Sequence, residues 1–410
     1  MKLPEAPWHT WSGMPRLLRT LGADAGHTRF VGGCVRDTLL ELEVSDVDLA
    51  TRLAPEEVMT RLGAAGIKAV PTGLAHGTVT AVIGGRPVEV TTLRRDVSTD
   101  GRRATVAFTE DWEEDAARRD FTINALSAAP SDGEIFDYFG GIDDLVARCV
   151  RFIGDPLTRI AEDHLRILRF FRFHARFGGS APDAAALEAC AARANDLMAL
   201  SRERIADELL KLLALPHPCA TVRLMIEQGI FRPVLPEIES ANRLEALVGA
   251  EQAAGIAPDP VRRLAALLPA DPAIAAAVAT RLRLSRHKAK RLSSAADRRI
   301  DQPEVLAYEI GAEEAVDRLL LAGEPVEGLR ALQAWSRPRL PIGGGELIGM
   351  GLEPGPIVAQ VMQAFEREWA RSGFPADQDE VRDLARRHVD QALRDSPKTS
   401  ASSGGSGAEK

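Results

Sequence analysis

A chain of 410 residues with 45% apolar side chains can bury more than one core and form two or more domains. Its formal net charge of −8 excludes binding to nucleic acid through overall charge, so any RNA site has to be a local basic stripe on an acidic protein. No run reaches the about 18 consecutive apolar residues of a membrane span. The N-terminal MKLPEAPWHTW lacks the apolar centre of a signal peptide, and Cys34, Cys149, Cys190 and Cys219 include no C-x-x-C pair. A reduced, cytoplasmic protein with no membrane partner and no structural zinc is expected.

Residues 1–150 alternate β-like runs with turns and helices. Arg29-Phe30-Val31 predicts a strand entering a turn at Gly32-Gly33. Val44 to Leu49 alternates apolar and polar residues, as a half-buried strand does. Thr78 to Ile83, a Gly84-Gly85 turn and Pro87 to Leu93 predict a hairpin. Gly101 to Glu114 is polar and charged and reads as a mobile loop. Beyond Arg151 the period changes to that of helices, through Leu165, Leu168 and Phe171 and again through Ile205, Leu209 and Leu212. Helices continue to Leu393, with stops at Pro216, Pro218, Pro233 and Pro236. Ser396 to Lys410 is rich in Ser and Gly and predicts a disordered tail. The class expected is α+β at the N-terminus, with a small mixed sheet, followed by an all-α remainder.

Asp46 and Asp48 are two apart, so on a strand they point to one face. Two adjacent carboxylates are costly unless a cation lies between them, and hard oxygen ligands suit Mg²⁺, which takes one or two carboxylates plus substrate phosphates. The preceding Gly32-Gly33 lets backbone approach a triphosphate, and Arg36 can neutralise it. The plainer alternative is a turn followed by a solvated acidic strand. Glu89, in Val88-Glu89-Val90, faces away from its neighbours and is a candidate third acidic residue; it also fits an ordinary exposed strand glutamate. In Arg118 to Leu126, Asp120 or Asn124 can bond a ribose 2′-hydroxyl and Arg119 can meet phosphate. Asp163 and Arg166 are three apart, a spacing that shares a helix face. Ser201 can cap a helix on which Arg204 and Glu208 pair at i, i+4. The cations from Arg281 to Arg291 fit either an RNA-facing stripe or a solvated helix.

The string V-G-G-C-V-R-D followed by S-D-V-D-L-A-T resembles the nucleotidyltransferase motif of class II CCA-adding enzymes and bacterial poly(A) polymerases, in the DNA polymerase beta-like superfamily. Further strings follow in that family's order. R-R-D-F-T-I-N-A is similar to its ribose and phosphate motif, G-G-I-D-D-L with R-F-I-G-D-P to its hinge, E-D-H-L-R to its base-recognition motif, and S-R-E-R-I to its neck-helix motif. Two departures stand out: Glu41 replaces a usual Gly, and His164 replaces a usual Pro. The resemblance implies a nucleotidyltransferase head over 1–150, a helical neck with base recognition over 151–215 and a tRNA-binding body and tail over 216–395. It also implies catalysis by Asp46, Asp48 and Glu89, with metal at Asp46 and Asp48. Gly32, Gly33, Arg36, Arg119, Asp120, Asn124, Asp163 and Arg166 would bind nucleotide. The expected reaction is Mg²⁺-dependent, template-independent addition of CCA to tRNA from CTP and ATP. Alternatives are a poly(A) polymerase, a partial C- or A-adding enzyme, and an inactive RNA-binding protein. The Arg94 to Thr109 stretch resembles the loop that helps CCA-adding enzymes switch from C to A.

Overall fold

The computed structural model describes residues 1–99 and 104–395. The expected tail, 396–410, and part of the expected mobile loop, 100–103, lie outside the described residues. The chain forms two compact units. The first comprises Met1–Glu245, Pro258–Leu268 and Ala277–Ala289, and the second Ala246–Ala257, Pro269–Ala276 and Lys290–Lys410.

The strands are β1 (Thr28–Val31), β2 (Asp48–Thr51), β3 (Lys68–Gly73), β4 (Thr78–Ile83), β5 (Arg86–Thr92), β6 (Arg94–Thr99), β7 (Ala104–Phe108), β8 (Ser127–Ala128) and β9 (Ile135–Phe136). Interspersed with them are α1 (Met14–Thr20), α2 (Gly33–Leu39), α3 (Pro55–Ala64), α4 (Trp112–Ala117) and, after β9, α5 (Gly141–Val146). Then come α6 (Pro156–Glu162), α7 (Arg166–Phe177), α8 (Ala184–Ala192), α9 (Arg202–Leu213), α10 (Cys219–Glu227), α11 (Asn242–Ala254), α12 (Pro260–Leu267), α13 (Pro272–Arg281) and α14 (Arg286–Ala295). The chain closes with α15 (Pro303–Ile310), α16 (Ala312–Ala322), α17 (Val326–Gln333), α18 (Gly344–Gly349), α19 (Pro356–Arg371) and α20 (Gln378–Asp395). Among the described residues no single helix is long and apolar enough to cross a membrane.

The main sheet has the order β3-β4-β5-β2-β1-β8-β9. β2 and β5 run parallel and the other neighbours antiparallel, which makes the expected mixed sheet. The predicted strand over Val44 to Leu49 is shorter: β2 starts at Asp48, and Asp46 lies before it. One reason is the β1 side of the pairing, since β5 itself extends three residues before Glu89. Phe30 of β1 pairs with Leu49, and β1 then ends at the Gly32 turn, so little of that strand remains to pair with residues before Asp48. The predicted loop over Gly101 to Glu114 is also corrected, because β6 and β7 pair as a separate hairpin and α4 follows. A register shift between Asp96 and Ser98 breaks the period-two pattern of β6 alone; β7 is a continuous five-residue strand.

Phe170, Phe171, Phe173 and Phe177 give α7 its buried face. Phe121 and Phe152, joined by a β-bridge, stack against this face, with ring centroids 4.9 Å apart between themselves and 5.2 Å from Phe121 to Phe173. Each buried ring contributes about 1.5–3 kcal/mol through lost apolar surface, so this cluster fixes α7 against the sheet-bearing part of the first unit. The second unit is built around Val305, Leu347, Phe365, Trp369, Leu384 and Val389.

Glu41 explains its own oddity. It follows the end of α2 with φ 56°, its N–H bonds to Thr38, and the Leu42 N–H bonds to Asp37. That is a Schellman ending, in which glycine adopts the left-handed backbone without steric cost. Glu41→Gly is expected to raise stability by about 1 kcal/mol, read as an upward shift of the denaturant midpoint.

Candidate active site

The site begins where β1 turns into α2. Gly32 has φ +69°, and a Cβ there would lie 2.9 Å from Arg119 Nη1 and 3.6 Å from the Asn124 carbonyl oxygen. The left-handed backbone angle demands glycine, while the space alone would only require the Arg119 tip to shift. Across the sheet, Asp48 opens β2 and stands in register with Glu89 on the parallel strand β5. Asp46 is exposed, two residues earlier, and accepts a 2.8 Å hydrogen bond from Ser45 Oγ.

Asp48 is electrostatically strained. Burial, followed by the charge of Glu89, pushes its carboxyl from 3.8 to about 6; Asp46 adds to the rise and Arg119 opposes it. No hydrogen bond or ion pair to this carboxylate is found among the described residues. A half-buried carboxylate raised by two like-charged neighbours is a position a cation would stabilise. No group of three or more His, Cys, Asp or Glu side chains is arranged to hold a metal among the described residues. The carboxylates of Asp46, Asp48 and Glu89 are hard oxygen donors, of the kind an ion takes that completes its shell from phosphates and water.

Gly32, Gly33, Arg36, Asp46, Asp48, Glu89, Arg119, Asp120, Asn124, Asp163 and Arg166 all line one cleft of 940 Å³. Sequence reasoning missed other lining residues: Arg94, Arg169, Arg172, Phe173 and Lys211. Arg169, Arg172 and Phe173 recur at three- and four-residue steps from Arg166, so the helical period of α7 carried a signal for them. Nine cationic side chains face five carboxylates in this cleft, which makes it a local basic patch on an acidic protein.

A buried network stiffens the arginine side. Arg36 is 6% exposed, donates from Nε to Asp37 at 2.7 Å and from Nη1 to Asn124 Oδ1, and lies 4.2 Å over the Phe177 ring. Asn124 donates to Asp120 at 2.9 Å, and Arg169 reaches Asp120 at 2.5 Å. Burial works to raise the Asp120 carboxyl, but Arg169 and hydrogen bonds from Asn124, Arg169 and the Phe121 N–H outweigh it and hold Asp120 below the usual range. Asp120 thus has both oxygens engaged, whereas one Asn124 amide hydrogen has no partner among the described residues.

Three expectations for the neck are corrected. Asp163 and Arg166 do not share a helix: Asp163 follows the last residue of α6 in extended backbone, and Arg166 opens α7 after a turn. They still line the same cleft. Arg204 does not pair with Glu208. Glu208 is 4% exposed and accepts from Arg172 at 2.6 Å, because the buried face of α9 turns it toward α7, while Arg204 reaches Asp163 at 2.8 Å. Ser201 precedes α9 at the capping position, but its side chain makes no capping bond.

A mixed sheet that sets paired carboxylates beside a Gly-Gly turn, facing a wall of arginines, defines a nucleotidyltransferase. Residues 28–151 match the family described as the poly A polymerase head domain, and 181–242 match one described as a probable RNA and SrmB binding site of polymerase A. The chain is 34% identical over 387 residues to the Mus musculus mitochondrial CCA tRNA nucleotidyltransferase 1, covering 90% of this chain and 88% of the relative. It is 32% identical over 403 residues to the CCA-adding enzyme of Streptococcus gordonii, covering 92% and 97%. The crystal structure of the Bacillus stearothermophilus CCA-adding enzyme in complex with CTP matches with a TM-score of 0.68 at 25% identity, over 92% of this chain and 98% of that one. The chain belongs to the CCA-adding tRNA nucleotidyltransferase family.

Proposed function

We propose that this chain adds C, C and A in turn to the 3′ end of tRNA, taking CTP and ATP and releasing pyrophosphate without a nucleic-acid template. The observation that carries the reading is the convergence in one cleft of the carboxylates, a wall of arginines, and Asp163 with Arg166. Members of the family generally use a divalent metal; here Mg²⁺ is proposed, with Asp46 and Asp48 as its ligands and Glu89 supporting them from β5. Bound there, it would supply Lewis-acid activation of the RNA 3′-hydroxyl and charge stabilisation of the leaving pyrophosphate. Arg36 and Arg119 hold triphosphate oxygens above the Gly32-Gly33 turn. Asn124, with its spare amide hydrogen, meets the ribose hydroxyl, and Asp120 positions Asn124.

The reading places a catalytic head at 1–150, a neck at 151–215 and an RNA-binding body and tail at 216–395, in a cytoplasmic protein with no membrane partner. A poly(A) polymerase or partial adder of the same family is the second reading, and an inactive RNA-binding protein the third. Carboxylates kept in a cleft with nine cations favour an active enzyme over the third. The β6–β7 hairpin sits where the family's switching loop is expected, which favours full CCA addition over A addition alone. The deciding experiment incubates the protein with tRNA lacking its CCA end and each nucleoside triphosphate alone and in combination, then sequences the products. CCA ends support the reading; A tracts or no extension reject it.

Shortening Asp96 to Thr105 is expected to leave C addition working while addition of the final A is impaired. Sequenced product ends check this, and equal losses of C and A would reject a switching role.

A further inference from the structure

The cations between Arg281 and Arg291 are sorted by their partners. Arg281 makes two 2.8 Å hydrogen bonds to Glu237. Lys290 pairs with Glu314 at 2.7 Å, and Arg291 pairs with Asp317 and Glu313. These three are structural. Arg286 and Lys288 are exposed and make no ion pair among the described residues. Arg283 pairs with Glu203 at 2.7 Å and has φ 51°. Its N–H bonds to Thr280 and the Leu284 N–H bonds to Ala279, a helix ending that suits glycine. A non-glycine residue is strained in this backbone, and here it is a cation.

Arg283, Ser285 and Lys288 form one wall of a second cavity, of 390 Å³, within the first unit. The other wall is a face of α9 carrying Glu203, Asp207 and Lys211. Lys211 lines this cavity and the active-site cleft alike, so the two spaces adjoin through one cation. The match to the RNA-binding family ends at residue 242 and therefore includes the α9 wall but not residues 283–288.

We propose that this second cavity holds a phosphodiester of the RNA strand just upstream of its reacting 3′ end, with Lys288 as the lining cation free to neutralise it and Arg286, exposed and unpaired two residues earlier on α14 but outside the lining, adding to the local positive charge. The site rests on the reading of the chain as a tRNA 3′-end nucleotidyltransferase. A strand whose 3′-hydroxyl lies at the carboxylates can leave the cleft past Lys211 and meet unpaired positive charge there. Lys211 is already bonded to Asp207 at 2.6 Å, and Arg283 to Glu203, so attraction within the cavity depends on Lys288, with Arg286 reinforcing it from the same helix.

The test titrates the wild type, the double variant Arg286→Glu/Lys288→Glu and a control, Lys68→Glu, with tRNA lacking CCA, without nucleotides and over a range of salt. Lys68 is exposed on the edge strand β3 and reports any general charge effect. The double variant is expected to bind about 10–100-fold more weakly, with the log–log salt slope reduced by about 1 for each phosphate no longer neutralised. Its KM for RNA rises, while kcat at saturating RNA and KM for CTP change by less than about twofold. Unchanged affinity and slope, or an equal loss with Lys68→Glu, overturns the site. Because binding is read without nucleotides, failure of the wild type to extend RNA would overturn the proposed function without touching this result.

Discussion

Replacing Asp48 with Ala is expected to lower nucleotide addition by on the order of 10³-fold or more while leaving the fold and RNA binding intact. The magnitude follows from the several kcal/mol of transition-state charge stabilisation that a carboxylate-held divalent ion supplies. The fold should survive because Asp48 contributes no ion pair or side-chain hydrogen bond among the described residues; its backbone ladder to β1 and β5 carries the structure. Single-turnover addition of C to tRNA lacking CCA, beside direct RNA titration, reads both parts. Turnover near the wild-type rate would remove Asp48 from the chemistry.

The same residue predicts a stability change of opposite sense. Its carboxyl is raised in the folded protein from 3.8 to about 6, first by burial and then by Glu89. A raised acid favours the fold while protonated, so its contribution is full below pH 4 and is lost as pH climbs through 6. Metal-free Asp48→Asn should therefore match the wild type near pH 4 and exceed it above pH 7, by at most about 3 kcal/mol. Saturating Mg²⁺ should narrow that gap by stabilising the wild type alone. Denaturant midpoints at the two pH values, with and without Mg²⁺, measure it. A variant no more stable than the wild type at high pH would show that Asp48 is not strained by its neighbours.

The parts of the site legible in the sequence are those whose chemistry is contiguous along the chain. Gly32-Gly33 with Arg36, Asp46 with Asp48, and Arg118 to Leu126 each bring their functional groups together by local geometry. Glu89 was also within reach, because the β4–β5 hairpin defines its face. Less legible were pairings made by packing. Nothing in the spacing of Arg204 and Glu208 tells that α9 turns Glu208 inward to Arg172 and leaves Arg204 for Asp163. Arg169 reaches Asp120 across 49 residues. β7 is a five-residue strand whose partner lies in β6 and not in its own pattern, and the shared helix for Asp163 and Arg166 was wrong because a turn after Glu162 separates α6 from α7. Glu41 shows the converse. Its departure from the family's glycine was visible in the sequence, but the left-handed backbone that makes it costly was not.

Asp163→Ala and Arg166→Ala are each expected to lower use of CTP and ATP and to raise the relative misincorporation of UTP or GTP. Cytosine and adenine both present an amino donor beside a ring-nitrogen acceptor on the Watson–Crick edge. Guanine and uracil present a carbonyl acceptor beside a ring N–H. A carboxylate accepts and a guanidinium donates, so the pair suits C and A and opposes G and U. The surrounding bonds make this pair stiff enough to act in place of a template strand. Asp163 accepts from the Leu165 N–H at 3.1 Å and from Arg204 at 2.8 Å, yet each carboxylate oxygen retains a second lone pair. Arg166 is anchored to the Arg159 and Arg118 carbonyls at 2.8 and 3.0 Å and to Glu162. A wrong base then costs about 1–3 kcal/mol per bidentate contact, because the side chains cannot turn to meet it. Arg204→Ala, which frees Asp163 without removing it, should relax selectivity in the same direction but less. Arg166→Lys keeps the charge and loses the planar fork, so it should resemble Arg166→Ala in selectivity if geometry, not charge, selects the base. Single-nucleotide kinetics with all four triphosphates, on variants whose thermal unfolding matches the wild type, decide the matter. Full retention of the C and A preference in both alanine variants would reduce the pair to a support for the turn between α6 and α7 and place base selection elsewhere in the cleft.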